Sequence, residues 1–269
     1  MEAEIRAEVA TAAQTIGPGP FGNTPRFHLL AATGADASAL RGLGTYGKIK
    51  DAPAYLVGVL KPAPMALVDY GYLFEMLILH ATDLGLGTCW LGGTFTRSRF
   101  ARAVDLRRGE EMPAAVSIGR PGEKEQIRSN RRARFGPTRR LPADQLFFDE
   151  SLAKPLAPED AGGCSAALTA VRQAPSASNK QPWRIVRSGS DFHFFLERSK
   201  GYGTGPLLFT LLRLSDLQLL DIGIAICHFD LVAREAGLLG EWVAAAPGID
   251  TGDRQIEYVA TWRQGERDG

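Results

Sequence analysis

One sparse pattern of polar, glycine and tryptophan positions occurs twice in this chain, far apart in the sequence. The matching pairs are Asn23 and Asn179, Asp69 and Asp221, Gly85 and Gly237, and Trp90 and Trp242. The last three pairs are each separated by 152 residues, and the first by 156. This interval indicates two domain-sized copies in tandem rather than a solenoid of short repeats. A fused homodimer would carry both walls of a seam site in one polypeptide.

Composition restricts the class of protein and of partner. With 269 residues, 45% of them hydrophobic, the chain can bury the core of one large or two ordinary domains. Its 31 basic and 30 acidic residues nearly balance, so no charge excess favours nucleic acid or an anionic membrane. Three scattered cysteines without C-x-x-C spacing argue against a disulfide scaffold or a zinc site. We expect a cytoplasmic protein with a small-molecule partner and no membrane segment.

Hydrophobic periodicity predicts that helices and strands alternate in the same order in each half. Helices are predicted over 3–15, 70–84, 163–173 and 215–235, and strands over 26–31, 55–60, 183–186 and 192–196. One long central helix in each half favours an α+β layered fold around the paired helices. The predicted organisation is a first half over 1–122, a basic connector and extension of that half over 123–159, and a second half over 160–269.

A run of turn-forming residues lies between a predicted helix and a predicted strand. Residues 174–184 read A-P-S-A-S-N-K-Q-P-W-R. An Asn amide can donate to a carbonyl while accepting from a ring N–H, and the pyrimidine edge of a flavin offers that pair. Composition alone also fits a plain helix-to-strand turn, because Pro, Ser and Asn favour turns.

A glycine-rich run, L-G-L-G-T-C-W-L-G-G, follows the first central helix. Glycine lets the backbone approach a ligand closely, and N–H groups near Gly92 and Gly93 can donate to a flavin. Gly85 and Gly87 equally fit a helix cap. Cys89 fits a buried small hydrophobic residue better than a nucleophile. The spacing does not match G-x-G-x-x-G, so it does not favour a dinucleotide-binding Rossmann site.

Arginines are concentrated in the connector between the two copies. They are Arg120, Arg128, Arg131, Arg132, Arg134, Arg139 and Arg140. Arg binds phosphate through paired hydrogen bonds, although most charge runs are only solvated linkers. A nucleic-acid patch is disfavoured because Phe135 is the one interleaved aromatic residue and the chain is nearly neutral.

The turn and the glycine-rich run together resemble a known family. The first resembles the Pro-Ser-x-x-Asn-x-Gln-Pro-Trp signature of FMN-dependent nitroreductases, and the second resembles their later helix-end motif. Ordinary members carry this pair once in each subunit, whereas here each half carries a pair, one strong and one worn. The chain, residues 1 to 269, therefore resembles the putative TM nitroreductase group. The resemblance implies tandem nitroreductase-like halves that form an internal pseudo-dimer around paired core helices.

In such dimers FMN lies in the seam between subunits, and the resemblance assigns its contacts. They are Pro175, Ser176, Ser178 and Asn179 of the second half and Leu91, Gly92 and Gly93 of the first. Arg139 and Arg140 resemble the basic C-terminal segment that meets the phosphate. The mirror site, over 20–23 and 239–242, lacks the hydroxyl residues, so we expect at most one FMN per chain. No side chain is assigned a catalytic role and no metal is expected, because the flavin carries the chemistry.

The resemblance implies an oxidoreductase in which NADH or NADPH gives a hydride to N5 of FMN. A nitroaromatic, a quinone or a similar acceptor then takes the electrons. An internal dimer allows the chain to act as a monomer. A rival reading is a non-catalytic flavin-binding sensor or store, or a scaffold that has lost its flavin. An expected R-R-S-x-R segment before the first helix is not seen, which favours the rival, whereas the intact turn at 175–183 opposes it.

Overall fold

The chain forms two compact units. The computed structural model describes residues 1–31, 52–92, 97–121, 139–199, 215–251 and 255–265. The first unit comprises Met1–Ile127 and Gly205–Leu217, and the second comprises Arg128–Thr204 and Gln218–Gly269. Of the stretch predicted as a connector over 123–159, the described residues 139–159 group with the second unit, and Phe147–Asp149 supplies a strand to that unit's sheet.

The first unit is built on an antiparallel sheet. Its elements are α1 (Ala3–Thr15), β1 (Arg26–Ala31), β2 (Ala54–Val59), α2 (Ala66–Asp83), β3 (Gly87–Leu91), α3 (Arg97–Ala103) and β4 (Ala115–Gly119). The strand order is β1-β2-β4-β3, and every neighbouring pair is antiparallel. All residues of β2 are buried, as expected for an inner strand with both faces covered.

Close approach at a glycine fixes α2 on this sheet. Phe27 of β1 lies 5.5 Å from the Tyr70 ring and 5.0 Å from the Phe74 ring, centroid to centroid. Gly58 is the register partner of Phe27. The Tyr70 hydroxyl lies 3.2 Å from the carbonyl oxygen of Gly58 and 2.6 Å from that of Ala114. Because Gly58 has no side chain, the Tyr70 ring can lie directly against the strand.

The second unit has a five-stranded sheet. Its elements are β5 (Phe147–Asp149), α4 (Ser165–Gln173), β6 (Trp183–Ser188), β7 (Asp191–Glu197), α5 (Leu217–Glu235, which lies in this unit from Gln218 onward), β8 (Gly240–Val243) and β9 (Ile256–Gln264). The strand order is β5-β6-β7-β9-β8. Only the β5–β6 pair is parallel among these described strands. Phe192 and Phe194 of β7 pack against Phe229 of α5, at centroid distances of 5.4 and 5.5 Å.

The helices and strands predicted from periodicity are confirmed, with shifted ends. The helix expected from residue 70 begins one turn earlier, at Ala66, which is buried. The helix expected from 163 begins at Ser165, because Gly162 has φ 54° and ψ −137°, which interrupts helical geometry. Five strands were not predicted, namely β3, β4, β5, β8 and β9.

In each unit, a buried aspartate of the long helix accepts hydrogen bonds from the turn that lies between an earlier helix and the next strand. In the first unit, Asp69 accepts hydrogen bonds from the backbone N–H groups of Phe21 at 3.0 Å and Asn23 at 2.9 Å. In the second, Asp221 accepts from the Ala177 N–H at 2.9 and 3.1 Å. Asp69 and Asp221 are 0% and 2% exposed, so each carboxylate depends on these protein donors rather than on water.

The two units also share one order of elements. Each runs helix, strand, strand, long helix, strand, strand, and the sheet order β1-β2-β4-β3 matches β6-β7-β9-β8. The strand β5 is additional in the second unit, and α3 is additional in the first. Phe21 and Ala177, which donate to the two aspartates, lie 156 residues apart, as Asn23 and Asn179 do. The repeat read from the sequence therefore coincides with a repeated hydrogen bond.

We expect Gly58→Ala to destabilise the first unit. A Cβ at Gly58 would lie 2.5 Å from the Tyr70 ring, which its hydroxyl contacts hold in place. Such overpacking typically lowers the free energy of unfolding by about 1–3 kcal/mol. Gly87→Ala in β3 is the matched control, because its nearest neighbour would be 3.4 Å away. Urea denaturation that gave equal losses for the two variants would contradict this packing argument.

The stability contributed by Asp69 should depend on pH. Burial raises the pKa of Asp69, against hydrogen bonds from Phe21 and Asn23 that lower the pKa. The folded chain thus holds this proton more tightly than the unfolded chain, and ionisation reduces stability as pH rises above about 4. Asp69→Asn cannot ionise. Its free energy of unfolding relative to the wild type should therefore increase from about pH 4 until Asp69 is ionised. The free energies of unfolding of both proteins can be measured by urea denaturation at several pH values. If the free energy of Asp69→Asn minus that of the wild type stayed constant or fell with pH, a raised pKa of Asp69 would be refuted.

Candidate functional site

The turn that follows α4 has an unusual backbone. A short 3-10 helix spans Ala177–Asn179, and within it Ser178 has φ 52° and ψ 24°. Asn179 and Gln181 also have positive φ angles, of 54° and 50°. Non-glycine residues in the left-handed region cost about 1–3 kcal/mol each unless their surroundings hold them. Three such residues within four positions indicate that the shape of this turn is imposed by its contacts.

Hydrogen bonds inside the second unit impose that shape. The Ala177 N–H is fixed by Asp221, as described above. The Gln181 N–H donates to Ser176 Oγ at 2.9 Å, and the Asn179 N–H donates to the Ser176 carbonyl at 2.9 Å. The backbone of the turn is therefore tied to α5 below it and to its own first serine.

The basic segment 139–141 lies against this turn. Arg140 Nη1 donates to Asn179 Oδ1 at 2.7 Å, and Asn179 Nδ2 donates to the Arg139 carbonyl at 2.8 Å. The Leu141 N–H donates to Gln181 Oε1 at 2.9 Å. The structure thus brings Arg139, Arg140 and Asn179, three of the residues predicted for the site, into one hydrogen-bonded cluster. It does so within the second unit, whereas the sequence interpretation attached the basic pair to the first half.

Positive charge is concentrated here without an opposing carboxylate among the described residues. Burial, and then the charge of Arg172, lower the pKa of Arg140. Arg140 Nη2 donates to the Gln173 carbonyl, and Arg172 Nε donates to the Leu141 carbonyl at 2.8 Å. These acceptors are neutral, so the two guanidinium charges are not compensated by them. An anionic group would supply the missing counter-charge.

Other polar groups near the turn differ in their availability to a ligand. Ser178 is exposed, and no hydrogen bond of its hydroxyl to another described residue is found. Trp183 is fully buried, so its Nε1, which has no partner in the described part of the chain, has no surface to offer a ligand. Arg184, by contrast, is ion-paired with Glu197 at 2.6 Å. The turn and the basic segment together suit a ligand with a polar planar edge and an anionic group.

The predicted site residues of the first unit have less space for contact with a ligand. Leu91 is 1% exposed and packs in a hydrophobic cluster with Tyr55 and Phe100, so only its backbone is open to a ligand role. A Cβ at Gly92 would come within 2.7 Å of Leu217, which belongs to the same unit. Gly93 lies outside the described residues. The segment read as a helix-end motif is largely the edge strand β3.

The corresponding turn of the first unit uses its amide internally. Asn23 Nδ2 donates to Asp69 Oδ2 at 2.8 Å and lies 3.1 Å from the Pro64 carbonyl. A Cβ at Gly19 would meet the Asp69 side chain at 2.4 Å, so this turn closes tightly over the aspartate. The Asn23 amide is therefore bonded to the aspartate below the turn, whereas the Asn179 amide is bonded to the basic segment. This contrast agrees with the sequence reading of this turn as the worn copy.

Sequence reasoning missed three residues of this arrangement. Arg172 adds a second uncompensated charge, Gln181 joins the turn to the basic segment, and Asp221 fixes the backbone from below. Asp221 had a usable signal, since a repeated aspartate on an apolar helix implies a buried partner. Gln181 stood in the quoted motif and Arg172 carried no signal, and the roles of both depend on the position of 139–141.

Other kinds of site find no support in the described residues. No group of three or more His, Cys, Asp or Glu side chains suited to a metal is found there. Cys89, Cys164 and Cys227 are free thiols, and burial raises the pKa of Cys164 to about 11, which disfavours its thiolate. Among the described helices, none combines the length and apolar character needed to cross a membrane.

Comparison with solved structures gives a match over nearly the whole chain. A crystal structure described as a putative nitroreductase of Thermotoga maritima has 16% identity and a TM-score of 0.56. The match covers 98% of this chain and 84% of that one. At this identity the likeness concerns the fold alone.

Two further structures match about half of the chain. One is described as an oxidoreductase containing FMN, with 22% identity, a TM-score of 0.45, and coverage of 54% of this chain and 80% of that one. The other is a nitroreductase family protein of Clostridium difficile, with 18% identity, a TM-score of 0.40, and coverage of 53% and 83%. A comparison with curated proteins gives no match.

A family model provides the assignment. The model described as "Putative TM nitroreductase" matches residues 28–233, which is well over half of the chain. The match spans both inner strands of the first unit, the basic segment, the turn and almost all of α5. The chain therefore belongs to the putative TM nitroreductase family.

Proposed function

We propose that this protein is an FMN-dependent oxidoreductase of the nitroreductase type. One observation carries the proposal. The left-handed turn at Ser178–Asn179 and the basic pair Arg139–Arg140 meet in one hydrogen-bonded cluster. Flavin mononucleotide combines a planar ring that has carbonyl and N–H groups with a phosphate. The cluster offers an amide for the first and cations for the second.

The residues present fit this cofactor. We propose that the Asn179 amide pairs with the ring edge and that Pro175, Ser176 and Ser178 shape and line the turn beside it. Arg140 and Arg139 supply positive charge for the phosphate, and Arg172 strengthens the field. In the flavin-free chain the Asn179 amide bonds Arg140 and the Arg139 carbonyl. Binding therefore replaces these hydrogen bonds with hydrogen bonds to the ligand, because the amide has no unsatisfied donor or acceptor waiting for it.

FMN, when bound, supplies the redox chemistry, in which NADH or NADPH is oxidised and a nitroaromatic, quinone or similar acceptor is reduced. The chain's own residues then have binding and orienting roles. Asp221 holds the turn in place by accepting a hydrogen bond from the Ala177 N–H. The basic segment places the Arg140 charge beside the turn. We assign no general acid or base to a side chain.

The contribution of the first unit remains a proposal from the resemblance. Leu91, Gly92 and Gly93 are proposed to meet the flavin through backbone groups, since the Leu91 side chain is buried. We also infer that the two units arose by duplication and act as an internal pseudo-dimer. Their common order of elements and their equivalent aspartate hydrogen bonds support this inference.

A non-catalytic role is the competing proposal. In the flavin-free chain the Asn179 amide already has protein partners on both its oxygen and its nitrogen. Such a turn is stable without a ligand, as a scaffold that has lost its flavin would require. A flavin sensor or store would bind FMN and would not pass electrons from a nicotinamide donor to an acceptor.

Reconstitution with FMN separates these functions. We expect the protein to bind no more than one FMN per chain, because in the described part of the chain one of the two turns contacts a basic segment and the other does not. Anaerobic addition of NADH or NADPH should bleach the flavin absorbance, and a nitroaromatic or quinone should restore it. Binding without bleaching would select the sensor or store, absence of binding would select the scaffold, and two flavins per chain would refute the single-site assignment.

Asn179→Leu should weaken FMN binding far more than Asn23→Leu. Leaving a ligand group unpaired costs about 1–3 kcal/mol, or about one to two decades in affinity for each group. Asn23 is the matched residue of the other turn, and its amide is bound to Asp69. Titration with FMN, and thermal denaturation of the flavin-free variants, measure affinity and stability separately. Equal and small losses of affinity for the two variants would overturn the assignment of Asn179.

A further inference from the structure

Gln181 joins the turn to the basic segment through its side chain. Its Oε1 accepts from the Leu141 N–H at 2.9 Å, and its Nε2 donates to the carbonyls of Asn179 at 3.2 Å and Arg139 at 3.4 Å. Its backbone N–H donates to Ser176 Oγ at 2.9 Å. Both ends of the amide are therefore bonded to backbone, on opposite sides of the junction between the two segments.

The location of Gln181 separates it from ligand contact. The residue is 2% exposed, so its amide has almost no surface to offer a ligand. Its φ of 50° is in the left-handed region, which is strained for a residue with a long side chain. A buried, strained and fully bonded amide acts by holding other groups in place.

Gln181 and Asn179 link the same two segments in different ways. The Asn179 amide is hydrogen-bonded to the Arg140 guanidinium and the Arg139 carbonyl. Under the proposed function, it exchanges these partners for the flavin ring. The bonds of Gln181 to Leu141 and Arg139 involve no group proposed to contact the ligand. They can therefore persist when the Asn179 bonds are exchanged.

We propose that Gln181 is a positioning residue that sets the spacing between the ring-binding turn and the phosphate-binding arginines. This inference rests on the proposed function, since it concerns how one ligand is held at two places. Simultaneous contact with ring and phosphate requires the two segments to keep a fixed separation. Loss of that separation weakens ligands that need both segments and spares ligands that need only the turn.

Comparison of FMN with riboflavin measures this spacing. Riboflavin has the same ring and lacks the phosphate. Wild-type protein should bind FMN more tightly than riboflavin, and Gln181→Met should weaken FMN by about tenfold or more, as loss of a supporting residue commonly does. Riboflavin affinity should change by less than about threefold, since it does not require both segments. The preference for FMN should therefore largely disappear.

Two control variants distinguish spacing from other effects. Asn179→Leu should weaken FMN and riboflavin alike, because it removes a contact to the ring. Thr261→Val removes a buried hydroxyl that bonds His193 and Tyr258 at 2.8 Å, in a separate network of the same unit. It should lower the melting temperature and keep the preference for FMN. If Gln181→Met weakens both flavins equally, or leaves the preference intact, the positioning role is refuted.

If Gln181→Met does not fold, a second variant and a measurement on the wild type still test the proposal. Gln181→Glu keeps the acceptor for the Leu141 N–H and replaces the donor to Arg139 and Asn179 with a repelling oxygen, so it should also lose the preference. In the wild type, hydrogen exchange of the Leu141 amide should be slower with FMN bound than with riboflavin bound, and equal rates would refute the role. A wild type that binds neither flavin would refute the proposed function itself, whereas binding with an unchanged preference would refute the Gln181 inference alone.

Discussion

A buried carboxylate beneath a turn is the interaction on which the rest of this structure depends. Asp221 accepts the Ala177 N–H from inside α5, and Asp69 accepts two N–H groups in the same way from inside α2. A buried charge of this kind is tolerable only when donors surround it, so the turn and the helix must form together. The long helix, the turn and the strand that follows are thereby joined into one structural element in each unit.

The difference between the two turns arises from what surrounds this common element. In the first unit the Asn23 amide also turns to Asp69, and no cationic segment is found beside it in the described part of that unit. In the second unit Asn179 is directed to the segment that carries Arg139 and Arg140. The same hydrogen bond from turn to aspartate thus occurs in a turn whose Asn amide bonds that aspartate in one unit, and in a turn whose Asn amide bonds the basic segment in the other.

The sequence predicted the long helices and the strands β1, β2, β6 and β7 because they carry strong apolar patterns. It missed β3 because glycines obscured a strand, and it missed β5 because three residues, Phe147 to Asp149, are too few to show a period. The turn was recognised from its motif, and Arg139 and Arg140 were assigned to the same ligand from the resemblance, but the direct contact between the turn and the basic segment was not predicted. The role of Gln181 could not be foreseen, since a local motif does not specify which distant backbone groups will reach a side chain.

The bond from Arg140 to Asn179 has a thermodynamic consequence for any ligand at this turn. Both ends of the Asn179 amide are already paired in the ligand-free chain, so an arriving molecule competes with an internal occupant. The measured affinity is then the difference between two sets of hydrogen bonds, and it understates the strength of either set. Because Arg140 and the Arg139 carbonyl pair with the Asn179 amide, the folded chain has no unpaired amide at this turn when no ligand is bound. Folding of this turn therefore does not require a ligand, and the ligand-free protein keeps its native shape here.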